Sequence, residues 1–201
     1  MPNWCSNNIT ISGPTEKMQK IYDTCKSDTD DGLCSALYPQ PKDIFTGNLG
    51  EKERQECIEK GIPNWYDWNS SNWGTKWDAT MESCEIEHDN DGTSIITGAF
   101  DSAWAPPVGA YEHFIDQNPD CHLEAMYHEG GCNFAGMWED GNDDHYDLED
   151  TADKIEAQIP EALDEAFGIS EWARENEEPE ELSTWMNEGN EKRKELANAK
   201  G

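Results

Sequence analysis

Trp65, Trp68, Trp73 and Trp77 fall inside the stretch NWYDWNSSNWGTKWDA, residues 64–79, with Lys76 between the last two. Indole faces stack on nucleobases at about 1–3 kcal/mol per base, and a neighbouring ammonium can meet a phosphate. The spacing therefore suits a pocket for a nucleotide-like ligand. Such platforms normally sit among cations, and this stretch offers only Lys76. The opposing reading is a plug, with indoles packed on a sheet or its edge and their N–H groups bonded to nearby polar atoms. Trp104 then joins Trp73 and Trp77, Gly74 serves a tight backbone, and Lys76 forms a local pair with Asp78. The scarcity of cations favours the plug.

Two metal arrangements can be tested by spacing. His113, His122, His128 and Cys132 are candidate ligands, and His122 and His128 are an even number of residues apart, so they share a face if the segment is a strand. No spacing among them matches a recognised zinc pattern. In DGNDDHYDLEDT, residues 140–151, Asp140, Asn142 and Asp144 fit the first, third and fifth places of a calcium loop. The required glycine is His145, and the twelfth place holds Thr151 instead of glutamate. A solvated acidic loop is expected there. There is no GxSxG, no phosphate-binding glycine loop and no GxGxxG. Carboxylate pairs such as Glu85 and Glu87 are too common in this chain to signal acid–base catalysis. The expectation is a non-enzymatic protein with no cofactor and no metal.

Carboxylates are the remaining chemical resource. The chain of 201 residues carries 44 Asp and Glu against 14 Lys and Arg, a formal net charge of −30. Such a surface repels phosphate backbones and anionic membranes, because both bind proteins through cations. Its natural complement is a basic protein surface, which opposite fields steer and orient. A merely solubilising surface, as in salt-adapted proteins, is the other reading. Glu82, Glu85 and Glu87 recur in one strand-like run, and Asp153, Glu156, Asp164 and Glu165 in one helix-like run. Residues two apart on a strand, or three to four apart on a helix, share a side and can form rows of negative charge. Trp172 and Trp185 are candidate anchors at the rim of such a surface.

The elements that position these residues follow from periodicity. NNITISG alternates as a half-buried strand, and PTEKMQKIYDTCK is a one-sided helix through Met18, Ile21, Tyr22 and Cys25. Residues 27–80 form a long aromatic-rich insertion without clear period, within which EKERQECIEKG reads as a short charged helix ended by glycine. Two alternating runs, about 81–88 and 93–101, flank the hairpin signal Asp91-Gly92. APPVGAYEHFIDQNP is a helix with Val108, Tyr111, Phe114 and Ile115 on its apolar side, and two strands follow around Gly130-Gly131. The order β-α-β-β-α-β predicts an α+β core of about residues 1–150. That core is a ferredoxin-like split βαβ antiparallel sheet with two helices on one face. Residues 151–201 form an acidic helical extension, its stripe of Ala152, Ile155, Ile159, Leu163 and Phe167 interrupted at Pro160.

MPNWCSNNITISGP, LYPQP, NWGTKWDA, SAWAPP and GCNFAGMWEDG occur in this order, and together they resemble the YubB ferredoxin-like domain family over about residues 1–168. That family is carried by bacteriophages and plasmids. The resemblance implies the same split βαβ fold, and it implies no established chemistry and no catalytic residues. Charge and family together lead to an inhibitor of a host nucleic-acid-handling defence protein, working as an acidic mimic of DNA. A nucleotide-sequestering protein using the tryptophans, or an interaction module with another partner, are the alternatives. The N-terminus lacks the basic and apolar regions of a signal peptide, no apolar run approaches a membrane span, and the seven cysteines form no CxxC pair. These features fit the host cytoplasm, with no direct nucleic acid or membrane partner, and they leave the oligomeric state open.

Overall fold

The computed structural model describes residues 2–27, 29 and 31–177. The chain forms two compact units, Met1–Leu148 and Glu149–Gly201. Trp185 and the rest of 178–201 lie outside the described residues.

The first unit is α+β. It opens with strand β1 (Trp4–Pro14) and helix α1 (Thr15–Cys25), and its middle holds helices α2 (Leu33–Leu37), α3 (Glu51–Lys60) and α4 (Trp65–Asn72). Strands β2 (Met81–His88) and β3 (Thr93–Ala103), helix α5 (Val108–Gln117), and strands β4 (His122–Glu129), β5 (Phe134–Glu139) and β6 (Asn142–Asp147) complete it. The strands make one antiparallel six-stranded sheet in the order β2-β3-β1-β4-β5-β6. None of the described helices is long and apolar enough to cross a membrane.

Alternation decides which sheet face is covered. Along β1, Cys5, Asn7, Ile9, Ile11 and Gly13 are buried while Ser6, Asn8, Thr10 and Ser12 are not. Register carries that face to Ile96 and Phe100 of β3 and to Leu123 and Ala125 of β4. These side chains form one core with Met18 and Ile21 of α1, Leu33 and Leu37 of α2, and Tyr111 and Phe114 of α5. Each buried apolar side chain of this size stabilises the fold by roughly 1.5–3 kcal/mol. The helical period of α1 and the period of two in β1 therefore meet on one side of the sheet. Farther along, Tyr127 packs its ring onto Gly136 of β5, where any side chain would occupy the same space.

Residues 140–147 differ from the expected solvated loop. Asp140 and Gly141 both have positive φ, 44° and 98°, the backbone of a two-residue hairpin turn. Asn142–Asp147 then returns as β6 in register with β5. The strand is almost wholly exposed, so its hydrophobic alternation is missing although its hydrogen-bond ladder is present.

In the second unit, α6 (Ala152–Gln158), α7 (Glu161–Phe167) and α8 (Ile169–Asn176) follow one another closely. Pro160 marks a second helix start, since it lacks the N–H that a continuing helix would need. Gly168, with φ 62°, is both the end of α7 and the cap of α8. Ala152, Ile155, Ile159, Leu163 and Ile169 are buried, which matches the expected apolar stripe up to its last member.

Candidate functional site

The sheet face opposite the core is the first unit's main chemical surface. Its side chains are fixed by register. One rung runs Glu85, Thr97, Thr10, Glu124, Glu139 and Asn142 across all six strands. The next rungs hold Glu87, Ile95, Ser12 and His122 on one side, and Ser83, Ala99, Asn8 and Met126 on the other. Glu85, Glu87, Glu124 and Glu139 are exposed. Between Glu85 and Glu124 lies a shallow trough of about 430 Å³, floored by Asn8, Thr10, Thr97 and Ala99. Its floor is uncharged and its two walls are carboxylates.

At one end of this face stand exposed tryptophans. Trp4 opens β1 beside the end of β3, and its ring lies 6.0 Å from that of Trp77 at an interplanar angle of 32°. Trp104 directly follows β3 with φ 73°, a left-handed conformation that costs a bulky residue of order 1–3 kcal/mol. Its side chain stays half exposed, so that strain is not repaid by burial of its indole.

The tryptophans of residues 64–79 do not share one environment. Trp73 is 1% exposed, donates its indole N–H to the Tyr38 carbonyl at 2.8 Å, and meets Trp68 edge-on. Trp68 also packs edge-on against Tyr38, and Trp65 donates to the Gly47 carbonyl at 3.1 Å. Trp77 is exposed, with the Lys76 ammonium 4.2 Å from its ring centre. Lys76 is thus held by aromatic faces and not by Asp78. Asp78 instead accepts the backbone N–H groups of Gly32, Cys34 and Ser35, closing the start of α2. Thr75 is buried and exchanges two hydrogen bonds with Ala103 at the end of β3. In WGTKWDA, then, Trp73, Thr75 and Asp78 secure the insertion, and only Trp77 faces solvent as a broad surface.

The expected carboxylate rows are also sorted by the structure. Glu85 and Glu87 share the open face, whereas Glu82 sits at the register shift between Met81 and Ser83 and belongs to no pair. Asp153 and Glu156 are both engaged by Arg174 of α8, at 3.5 and 2.7 Å. Asp164 accepts the Ser170 N–H at 2.7 Å and its hydroxyl at 2.6 Å. It is a cap for the first turn of α8 and is not a free contact. Glu165 and Trp172 are exposed.

On the β4–β5 side, His122 and Asp140 are joined by Glu124, Glu129 and Glu139, which spacing did not single out. His122 sits between two carboxylates, with Nδ1 2.6 Å from Asp140 and Nε2 2.9 Å from Glu124. Hydrogen bonds to Asp140 first and Glu124 second raise its imidazole above the ordinary value. Asp140 is held in turn by the Leu123 N–H at 2.9 Å. On the core side, Glu129 is buried and accepts the N–H groups of Gly131 and Cys132. Burial opposes its ionisation, yet those donors outweigh it and keep the carboxyl below its usual range.

No family model matches the chain. It is 29% identical over 79 residues to the uncharacterized protein YubB of Escherichia coli (strain K12), a match covering 39% of this chain and 52% of that one. The chain thus spans about half the length of the curated relative it matches. Among solved structures it is similar to the protein api92 from Yersinia pseudotuberculosis, at 11% identity and a TM-score of 0.37, over 74% of this chain and 99% of that one.

Proposed function

We propose that the protein is a non-enzymatic acidic docking module. In this reading the open sheet face engages the basic surface of a host nucleic-acid-handling protein in place of DNA. The observation that carries it is the trough between Glu85 and Glu124. Its walls stand three interstrand spacings of about 4.8 Å apart, about 14 Å in all. That separation is comparable with the roughly 12 Å width of the DNA major groove. A basic helix or strand laid along the neutral floor would meet carboxylates on both sides. Trp4, Trp77 and Trp104 at one end add the aromatic anchors that interfaces use for affinity. Charge then steers the encounter, and the tryptophans slow its dissociation.

The split βαβ reading of the core belongs to the same proposal. In chain order the first four strands with α1 and α5 follow the β-α-β-β-α-β pattern, and their sheet order is β2-β3-β1-β4. On this view β5 and β6 extend a ferredoxin-like sheet, and the chain groups with the YubB ferredoxin-like proteins of phages and plasmids. The nucleotide-pocket alternative has less support, because Trp73 is core and Trp65 and Trp68 are pinned to neighbouring aromatic and backbone groups.

The test is capture of partners by the full chain from host lysate, at low and high salt and with added duplex DNA. The expected partners carry a nucleic-acid site, leave when duplex is added, and are lost with Glu85→Lys plus Glu124→Lys. Partners that duplex never displaces, or that tolerate the charge reversals, would overturn the reading.

A further inference from the structure

We infer that His122, Glu124 and Glu139 form a binding site for one divalent first-row transition-metal ion, oriented by Asp140. The ligand atoms of the first three all lie within 4.8 Å of one another. Three features set this group apart from a chance meeting of acids.

The first is its rigidity. His122 and Glu124 are alternate residues of β4 and share its open face, and Glu139 of β5 is directly opposite Glu124 in the register. All three backbones are fixed by the sheet ladder, so only side-chain torsions need to adjust. The second is the imidazole. Asp140 fixes Nδ1 at 2.6 Å, and Asp140 is itself fixed by the Leu123 N–H at 2.9 Å. Nε2 lies 2.9 Å from Glu124 and shares a proton with that carboxylate, and an ion entering there would displace the proton and take up the nitrogen's lone pair. A carboxylate behind a histidine is the arrangement that sets tautomer and ring angle in metal sites. The third is charge. Like charges directly opposite on neighbouring strands destabilise a sheet, and among the described residues no Lys or Arg pairs with Glu124, Glu139 or Asp140. A cation between Glu124 and Glu139 removes that repulsion, and His122 gives it a nitrogen ligand.

The donor set selects the metal. Two carboxylate oxygens alone suit Mg²⁺ or Mn²⁺, whereas an imidazole nitrogen shifts preference toward Zn²⁺ and its neighbours. Three protein ligands at an accessible surface leave further positions for water. The order of affinity should therefore be Zn²⁺ above Mn²⁺ above Mg²⁺. The site stands independently of the docking reading, since metal uptake requires no protein partner.

The experiment is calorimetric titration of the tag-free full chain with zinc chloride, repeated with manganese and magnesium chloride. One zinc ion per chain is expected, with a rise in thermal midpoint on saturation. His122→Ala and Glu139→Gln should each weaken zinc binding at least tenfold, and Asp140→Asn by about ten- to a hundredfold as a positioning residue. Glu85→Gln, on the same face but away from the group, should bind as the parent does. Cobalt substitution supplies a separate readout: its visible absorption should change in His122→Ala and not in Glu85→Gln. Unchanged zinc affinity in both His122→Ala and Glu139→Gln would overturn the site. Equal weakening by Glu85→Gln, or magnesium binding as tight as zinc, would reduce it to diffuse attraction by carboxylates and overturn it equally.

Discussion

Glu85 and Glu124 stand on the same rung of the sheet, separated by Thr97 and Thr10, with no charged side chain between them on that rung. An edge strand and an inner strand thereby present carboxylates across a neutral floor. An arginine-rich peptide should bind this face in the presence of a chelator, with affinity falling steeply as salt rises past the Debye regime of about 8 Å at physiological ionic strength. Glu85→Gln with Glu124→Gln should weaken the peptide at least fivefold by fluorescence anisotropy. Glu161→Gln with Glu165→Gln, which removes equal charge from α7, should weaken it less than twofold. Equal losses would show that only net charge matters.

Truncating Trp73 should be the most damaging change in the aromatic stretch. Its ring is fully enclosed and its N–H is bonded to Tyr38, so Trp73→Ala should cost about 3–5 kcal/mol in urea unfolding. Trp77→Ala should cost less than about 1 kcal/mol, because that ring is already partly in water. The contrast separates plug from surface within one motif.

Asp164 should prove structural. Asp164→Ala removes the acceptor for the N–H and hydroxyl of Ser170 and should destabilise α8 by about 1 kcal/mol. Hydrogen exchange should speed up over 169–176 while arginine-rich peptide binding stays unchanged. A lost peptide affinity with undisturbed exchange would return Asp164 to the contact surface.

Glu129 should contribute to the acid sensitivity of the fold. Its folded carboxyl titrates below its unfolded value because the Cys132 and Gly131 N–H groups outweigh burial. A depressed acid contributes its stability in full above the unfolded pKa, and that contribution is lost as pH falls through the lower folded value. The urea midpoint should therefore decline below about pH 4.5, the ordinary glutamate region. Glu129→Gln should flatten that part of the decline while lowering stability at neutral pH. An identical acid limb in the variant would assign the loss to other groups.

Periodicity reveals most of the core because the covered face of the sheet leaves alternating apolar residues, as along Ile9 and Ile11 or Leu123 and Ala125. The hairpin at Asp91-Gly92 and the glycine stop at Gly61 are equally local, and the structure has both. What stays hidden has nonlocal causes. Strand β6 buries almost nothing, so its residues carry no alternation, and the turn signal at Asp140-Gly141 was submerged in acidic composition. Helix α2 is only five residues long and its start is closed by Asp78, 44 positions from Cys34. His122 pairs with residues selected by strand register and a hairpin turn, and a spacing rule applied to histidines alone groups it with His128 instead. Of the candidate carboxylates, Glu85 and Glu87 lie exposed on one face of β2. Asp153, Glu156 and Asp164 are occupied by Arg174 and Ser170, which only the helix packing within the second unit reveals.

Both margins of the six-stranded sheet end in carboxylates. The outermost strand on one side bears Glu82, Glu85 and Glu87 and a register shift, and the outermost on the other bears Asp143, Asp144 and Asp147. Unpaired backbone along such margins is a template for strand addition from a second molecule, and like charge on both margins opposes that pairing. The same acids that define the face therefore oppose edge-to-edge pairing between copies of this chain. That opposition holds while the carboxylates are ionised and weakens as acid neutralises them.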